Sequence, residues 1–169
     1  PGHAVASLVR DMIAHLAEDA LVVNMAPDMS TGELSAEFPQ VRLAAAKLVG
    51  HSRDLSLGVP GLVVLDHADE ASEDLLRALL EGLGPAIRHS EALVVDATTA
   101  IAEVMVEAHG RLTARLTAMG IERHMALTAI TAAGPGILRS LTEGDVGPFT
   151  QGIIDRLRTG PPAESRASH

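Results

Sequence analysis

The chain has the sequence ALVVNMAP at residues 20–27 and GLVVLD at residues 61–66. Both are short apolar runs that end at a polar residue or a proline, and such runs are typical of strands buried on both faces of a parallel sheet. Residues 41–49 are predicted to form a further strand, although their alanine content weakens the strand preference. Residues 86–89 are predicted to form a last edge strand.

Amphipathic helices are predicted between these strands, because apolar residues recur at steps of three and four. The predicted helices cover residues 4–19, 30–38 and 69–83, and a polar loop covers residues 50–60. The third helix is predicted to face inward with four leucines, which are Leu75, Leu76, Leu79 and Leu80. Strands that alternate with helices in this way indicate βαβ units and a mostly parallel sheet.

The pattern changes near Ser90, and from there the apolar spacing is helical almost to the end of the chain. One stripe of apolar residues predicts a long helix over about residues 90–119. Two more helices are predicted, over residues 121–141 with a kink near Pro135, and over residues 148–157. A helix with so wide an apolar stripe needs a partner, and a second copy of the chain would cover it.

The predicted fold class is therefore α/β followed by all-α: the remnant of a Rossmann-type parallel sheet, then a helical dimerisation domain. The expected domains are a partial Rossmann-like α/β domain over residues 1–89 and the helical domain over residues 90–158. Residues 159–169 are rich in Pro, Ser and Ala and are expected to form a disordered tail.

Composition excludes several classes of function. The chain has 169 residues, 47% of them hydrophobic, so it can form a sizeable core. Its formal net charge is −9 and its aromatic fraction is 1%, so neither a basic surface nor a base-stacking platform for nucleic acid is expected. It has no cysteine, which excludes disulfides and thiolate metal sites. No apolar run is long enough to span a bilayer, so no membrane partner is expected. The absence of cysteine fits a cytoplasmic location, which is the expected one.

Four short motifs follow one another within residues 4–158. They are LVVNMAP followed by Ser30-Thr31, KLVGH followed by Gly58 and GLVVL, LLEGLG at residues 79–84, and DATTA at residues 96–100. Their order and spacing resemble the pyrroline-5-carboxylate reductases and their relatives, the β-hydroxyacid dehydrogenases and 6-phosphogluconate dehydrogenase-like enzymes. The resemblance implies an NAD(P)-dependent oxidoreductase that acts on a C=N or C=O group, with a homodimer formed through the C-terminal helices.

The sequence departs from these families at three places. No strand before Leu21 leads into the Gly-x-Gly-x-x-Gly turn that approaches the dinucleotide pyrophosphate, so tight binding of NAD(P) by this chain alone is not expected. Residues 101–104 stand where the pyrroline-5-carboxylate reductases have a substrate-binding GSGPA segment. The single lysine, Lys47, does not lie at the position of the catalytic lysine of the β-hydroxyacid dehydrogenases.

Two residues are catalytic candidates, Thr99 and His51. The resemblance supplies Thr99, because the equivalent hydroxyl of the reductases contacts the substrate near the imine; the alternative is a threonine that bonds its own helix backbone. His51 lies with the substrate-binding candidates Ser52 and Arg53 in a loop between two strands, where sites are common. An arginine there can hold a carboxylate and a histidine can transfer a proton, while the alternative is a solvated polar loop.

Asn24 and Ser30 are candidates for binding the cofactor at the nicotinamide face, and the alternative for them is turn and helix-cap chemistry. Asp66 and His67 end a strand, but neighbours on a strand point to opposite faces, so direct cooperation between them is not expected. No metal site is expected, since the paired acids of the long helix are predicted to flank its apolar stripe and face water.

Three functions follow as hypotheses, and whether the chain is an enzyme stays open among them. The first is the C-terminal part of an NAD(P)-dependent imine or keto reductase, which forms the dimer and the substrate-side pocket. The second is a truncated, cofactor-free homologue that binds a small molecule or catalyses a non-redox step such as a cyclisation, isomerisation or elimination. The third is a structural dimerisation module without a ligand.

Overall fold

A computed structural model describes residues 3–159, and contacts divide the chain into two compact units after Val104. The first unit contains a sheet flanked by helices. Its elements are α1 (His3–Met12), a 3₁₀ helix (Ile13–His15), β1 (Leu21–Asn24), α2 (Thr31–Glu37), β2 (Arg42–Val49), α3 (Ser52–Ser56), β3 (Leu62–Asp66), α4 (Glu70–Leu80), a second 3₁₀ helix (Glu81–Leu83) and β4 (Ala86–Arg88).

A long helix, α5 (Leu93–Ala118), begins in the first unit and continues into the second. The second unit adds α6 (Arg123–Glu143) and α7 (Pro148–Thr159). The predicted fold class is confirmed, since a Rossmann-like sheet with helices precedes an all-helical part. The predicted domain boundary after residue 89 is based on the change from alternating strands and helices to helices alone, and it stays a prediction. The expected tail lies, from residue 160 onward, outside the described residues.

The four strands lie in the order β1-β2-β3-β4. The β1–β2 and β3–β4 pairs are parallel, as expected, but β2 and β3 are antiparallel. The segment between them explains the difference, because it carries only the five-residue helix α3 in place of the predicted polar loop. The segment covers residues 50–61, which is close to the shortest length that a parallel crossover allows, whereas an antiparallel return needs no chain to run back along the strand.

The sheet is covered differently on its two faces. On one face, Ala44 and Ala46 of β2 pack with Val63 and Leu65 of β3 against Leu76 of α4. On the other face, Leu43 of β2 packs against α1 and α2 through these residues: Val9, Leu34 and Phe38. Strand residues alternate between faces, so Ala45 and Lys47 share the face of Leu43. The apolar cover on that face ends before Lys47, and a polar site begins there.

Helix α4 buries fewer leucines than the sequence predicts. Leu76 is 1% exposed and packs on the sheet, and Leu80 is partly buried beside it. Leu75 and Leu79 are 58% and 71% exposed, so the prediction that they face inward is wrong. The predicted face is wider than the strip that one helix presents to a flat sheet, and only one line of leucines can reach it.

The helices of the second unit leave much apolar surface uncovered. Val94 is the buried residue of α5, and Ala126 is that of α6. The apolar stripe of α5 is largely exposed instead, as at Val104 and Leu112. Helix α6 contains Pro135, and the kink predicted near this residue stays a prediction. Within residues 3–159, no helix combines the length and apolar character that a membrane span requires.

Candidate functional site

A buried polar cluster lies where β1 and β3 both end. In the register of the sheet, Asn24 lies beside Ala45, and Asp66 lies on the other side of Ala45, so both residues share the face that carries Lys47. The loop after β1 and the turn before α5 cover this face. The cluster consists of Asn24, Thr31, Lys47 and Glu91, and it joins four separate parts of the first unit.

Lys47 is 2% exposed, and its ammonium is almost fully engaged by the β1–α2 loop. Its Nζ donates to the carbonyl oxygens of Ala26 and Met29, the latter at 2.8 Å, and lies 3.5 Å from Oε2 of Glu91. Burial lowers the pKa of Lys47, because desolvation disfavours the ammonium, and the nearby carboxylates of Glu91 and Asp28 only partly offset this effect. The ammonium of Lys47 therefore holds the β1–α2 loop in place.

Glu91 closes the cluster from the turn before α5. Its Oε1 accepts from the backbone N–H of Thr31 at 2.7 Å, and its Oε2 accepts from the Thr31 hydroxyl at 2.7 Å. Burial opposes ionisation of Glu91, but the two hydrogen bonds from Thr31 and the charge of Lys47 together lower its pKa below the usual value. The carboxylate therefore stays ionised and ties the first turn of α2 to the start of α5.

Asn24 and Thr31 are the other two members of this hydrogen-bond network. The Asn24 amide donates to the carbonyl of Met29 and to the hydroxyl of Thr31, both at 2.9 Å, while its oxygen accepts from the N–H of Ala26. Both side chains are buried, so their polar groups are used within the protein. Among the described residues, no buried side-chain polar atom lacks a hydrogen-bond partner.

A cavity of about 490 Å³ opens above this cluster, and we call it the polar pocket. It is lined by Pro27, Asp28, Met29, Ser30, Lys47, Asp66, His67, Ser90, Glu91, Ala92 and Val95. Its titratable side chains are three carboxylates, one ammonium and one imidazole. The pocket is therefore acidic, and it has the size of a small-molecule site.

Asp66 and His67 both line the polar pocket, contrary to the expectation that strand alternation separates them. The reason is the backbone of His67, whose φ of 56° breaks the alternation at the end of β3. Its Nε2 lies 3.7 Å from Oδ2 of Asp66. Asp66 itself is fixed by two backbone donors, since Oδ1 accepts from His67 N–H at 2.8 Å and Oδ2 from Glu91 N–H at 2.9 Å.

Thr99 lines a second cavity of about 330 Å³, which we call the Thr99 cavity. Its other lining residues are Pro27, Leu48, Gly50, Val94, Val95 and Thr98. Pro27 and Val95 belong to both cavities, so the two are neighbours on the first turns of α5. Thr99 therefore lies beside the polar pocket and not in its lining, and its catalytic role stays a prediction.

The other sequence candidates do not gather at one place. His51, Ser52 and Arg53 are exposed at the start of α3 and line neither the polar pocket nor the Thr99 cavity. His51 lies 3.7 Å from the carboxylate of Asp54 in an exposed pair. Ser30 lines the polar pocket and also caps α2, because its hydroxyl accepts from Glu33 N–H. Asn24 lies beneath the pocket with its polar atoms in use.

Lys47 and Glu91 are the functional candidates that sequence reasoning missed. A signal existed for Lys47, because one lysine within the alanine-rich strand β2 must either break the strand or find a buried partner. No comparable signal marks Glu91, which meets Thr31 across 60 positions of the sequence. Only the folded chain identifies it.

The described residues do not fit a dinucleotide pyrophosphate. Such a site needs a glycine-rich turn between a strand and a helix. The turns after β1 and β3 have no glycine, and the turn between β2 and α3 has a single one, Gly50. The acidic polar pocket would also repel a polyanion. Residues 3–159 likewise hold no group of three or more side chains that could bind a metal ion.

No protein-family model matches the sequence, and a comparison with curated proteins gives no match either. Among solved structures, the chain is similar to a pyrroline-5-carboxylate reductase from Coxiella burnetii. The TM-score is 0.64 at 16% identity, over 94% of this chain and 65% of that one. A pyrroline carboxylate reductase from Plasmodium falciparum with NADP bound gives a TM-score of 0.58 at 10% identity, over 94% of this chain and 70% of that one.

A semialdehyde dehydrogenase NAD-binding protein from Cupriavidus necator, in complex with calcium and NAD, gives a TM-score of 0.51 at 11% identity, over 98% of this chain and 68% of that one. The chain thus spans about two thirds of the length of these proteins, and 65% of the Coxiella enzyme. At these identities the likeness establishes the fold. The resemblance inferred from the sequence is confirmed at that level.

Proposed function

We propose that this chain is the substrate-side part of an NAD(P)-dependent oxidoreductase of the imine- or keto-reducing type, with the polar pocket as its small-molecule site. The observation that carries the proposal is the pocket itself. It lies where two strands end and the long helix begins, in a fold similar to that of pyrroline-5-carboxylate reductases. Crevices at the ends of strands are where α/β sheets bind ligands.

The cluster beneath the pocket gives this proposal a physical basis. Lys47 and Glu91 fix the β1–α2 loop and the turn before α5, which are the two main walls of the pocket. A preformed wall spares a ligand the entropy of ordering it. The described residues supply binding and orientation, and we assign them no step of hydride transfer because they do not fit the dinucleotide.

A cofactor-free homologue is the second candidate function. It is favoured by the turns after β1 and β3, which lack glycine, and by the acidity of the polar pocket. Such a protein would bind a small carbonyl or imine compound, or would catalyse a non-redox step such as an isomerisation. Both candidates use the same pocket and differ in the need for a nicotinamide cofactor.

We also propose that a second copy of the chain is the partner of the helical part. A groove of about 570 Å³ between α5 and α6 is lined almost entirely by apolar side chains, among them Met105, Leu112 and Ile137. A helix of 26 residues is about 39 Å long, and α5 buries only Val94 in the described chain. Burial of such a surface against itself would stabilise a homodimer.

Calorimetric titration tests the proposed function. The probes are 1-pyrroline, pyrroline-5-carboxylate and cyclopentanone, and we expect saturable binding of at least one of them. Val95 lines both cavities, so Val95→Phe should abolish the binding. Val106→Phe is the matched control, because Val106 is an exposed valine of the same helix that lines neither cavity.

An assay of NADPH-dependent reduction separates the two candidate functions. We expect this chain to bind NADPH weakly or not at all. NADPH-dependent reduction of a probe by the protein in its natural full length favours the reductase. Probe binding without any such reduction favours the cofactor-free homologue, and failure of all three probes to bind contradicts both.

A further inference from the structure

We propose that His67 exchanges a proton with the ligand of the polar pocket and that Asp66 is its positioning partner. The inference rests on the proposed function in one respect, namely that the polar pocket is the ligand site. Thr99 and His51 were the catalytic candidates from sequence, and neither lines this pocket. His67 does line it, and an imidazole is the side chain best suited to proton transfer near neutral pH.

The backbone of His67 is the first observation behind this inference. Among the described residues it is the one non-glycine residue with a positive φ, 56°, whereas the other positive values belong to glycines such as Gly58 and Gly84. Positive φ is uncommon for residues other than glycine, although histidine is among those enriched there, and such conformations concentrate at functional sites. Here the conformation turns the imidazole into the pocket wall beside Asp66, where ordinary strand geometry would separate the two.

The surroundings of the imidazole are the second observation. Its Nε2 is 3.7 Å from a carboxylate that two backbone N–H groups hold in place, and its side chain is 40% exposed. Catalytic hydrogen bonds are often long before a ligand binds and shorten in the complex. The other titratable groups that line the pocket are Asp28 from the β1–α2 loop, Lys47 from β2 and Glu91 from the turn before α5. Lys47 is engaged by loop carbonyls, so His67 is the freer proton donor.

The proton follows a short path. A ring nitrogen of the protonated imidazole donates to the nitrogen or oxygen of a bound imine or carbonyl ligand. When the proton passes to an imine nitrogen, the ring N–H bond breaks, the nitrogen gains the proton to give an iminium ion, and the imidazole becomes neutral; a carbonyl oxygen is too weak a base for this and accepts the hydrogen bond alone. Solvent reprotonates the ring through its exposed edge. Asp66 stabilises the protonated ring and fixes its orientation, as a carboxylate does for a catalytic histidine.

The test uses cyclopentanone, a neutral carbonyl compound without a titratable group, so any pH dependence of its binding comes from the protein. Affinity is measured between about pH 5.5 and about pH 8, the range in which imidazoles titrate. Amide chemical shifts of Ser30 and Glu91 report whether the probe occupies the polar pocket. We expect binding to be several-fold tighter at the lower pH, because a charged donor makes the stronger hydrogen bond to the carbonyl.

Two variants remove the imidazole and keep the backbone, His67→Asn and His67→Gly, since both residues accept a positive φ. Each should bind cyclopentanone with the same affinity across the pH range. His124→Asn is the matched control, because His124 also lies beside a carboxylate, 3.3 Å from Glu122, but is exposed on α6 and outside the pocket lining. This control should keep the pH dependence of the wild type.

Two results would overturn the inference while leaving the proposed function in place: pocket binding that does not depend on pH in the wild type, or pH dependence that survives in the His67 variants. If cyclopentanone and both pyrroline probes leave the pocket amides unshifted, the proposed function fails and this inference fails with it.

Discussion

At the scale of single residues, the polar pocket depends on the pair formed by Lys47 and Glu91. Removing one partner of a buried pair leaves the other charge uncompensated in the protein interior. The stability lost in this way is much larger than the stability that the intact pair contributes. Glu91 also accepts two hydrogen bonds from Thr31. The pair therefore governs both the stability of the first unit and the shape of the polar pocket.

We expect Glu91→Gln to lower the free energy of unfolding by about 2–3 kcal/mol. This is less than the 3–5 kcal/mol typical of a fully buried pair, since the Glu91 side chain is 14% exposed. Urea denaturation measures the change. Glu37→Gln is the control, because Glu37 pairs with Arg10 on the surface and should matter by no more than about 0.5 kcal/mol. Equal effects of the two variants would contradict the role of the buried pair.

The lowered pKa of Glu91 also predicts how the stability of the protein depends on pH. Because the folded state depresses this pKa, the contribution of Glu91 to stability is complete above the ordinary glutamate value of about 4.3 and is lost as the pH falls through the folded value. Stability of the wild type should fall below about pH 4, and Glu91→Gln should lack that part of the fall. Parallel curves of stability against pH for the wild type and Glu91→Gln would contradict this role of the Glu91 carboxylate.

Residue-scale features were the hardest to predict from the sequence. The run LVVN locates β1, but the role of Asn24 depends on Thr31 and on the loop carbonyls that fold back on it. The strand pattern of alternating faces argued against cooperation between Asp66 and His67. A single positive φ reverses that conclusion, and the modest enrichment of histidine in the left-handed region is too weak to identify this position from the sequence.

At the scale of elements, periodicity located helices and strands well, because apolar spacing reports which segments are buried. It could not determine pairing direction, since β2 and β3 carry the same apolar signal whether they run parallel or antiparallel. Direction depends on the length of the connecting helix α3, which lies in a segment whose polar residues indicate a loop. The width of a buried face is likewise set by the neighbouring sheet, as the exposed leucines of α4 demonstrate.

Helix α4 allows a matched test of this point. We expect Leu76→Ala to cost about 2–5 kcal/mol of stability, because Leu76 is fully buried against β2 and β3. Leu79→Ala, three residues later on the same helix, should change stability by less than about 0.5 kcal/mol, because its side chain is mostly exposed. Chemical denaturation of both variants measures these changes in stability. A large loss of stability in Leu79→Ala would show that Leu79 is covered and not exposed.

At the scale of the whole molecule, the apolar surface of α5 and α6 is the main feature that one chain leaves unexplained. We expect a homodimer, and we expect Leu112→Glu to weaken it strongly, because Leu112 lines the apolar groove. Sedimentation equilibrium at micromolar concentration measures the mass. Glu107→Gln on the same helix serves as the control, since Glu107 is exposed and makes only a surface pair with Arg111. A monomeric wild type would contradict the proposed partner.

We propose that the polar pocket receives a small imine or carbonyl ligand, and mapping of amide chemical shifts with 1-pyrroline measures this binding at the pocket itself. We expect the shifts to concentrate at the walls of the pocket, at Met29, Ser30, Glu91 and Ala92, and we expect Val95→Phe to remove them. Saturable binding that shifts the amides of His51 and Arg53 instead, while those pocket amides stay unchanged, would contradict a ligand site in the polar pocket.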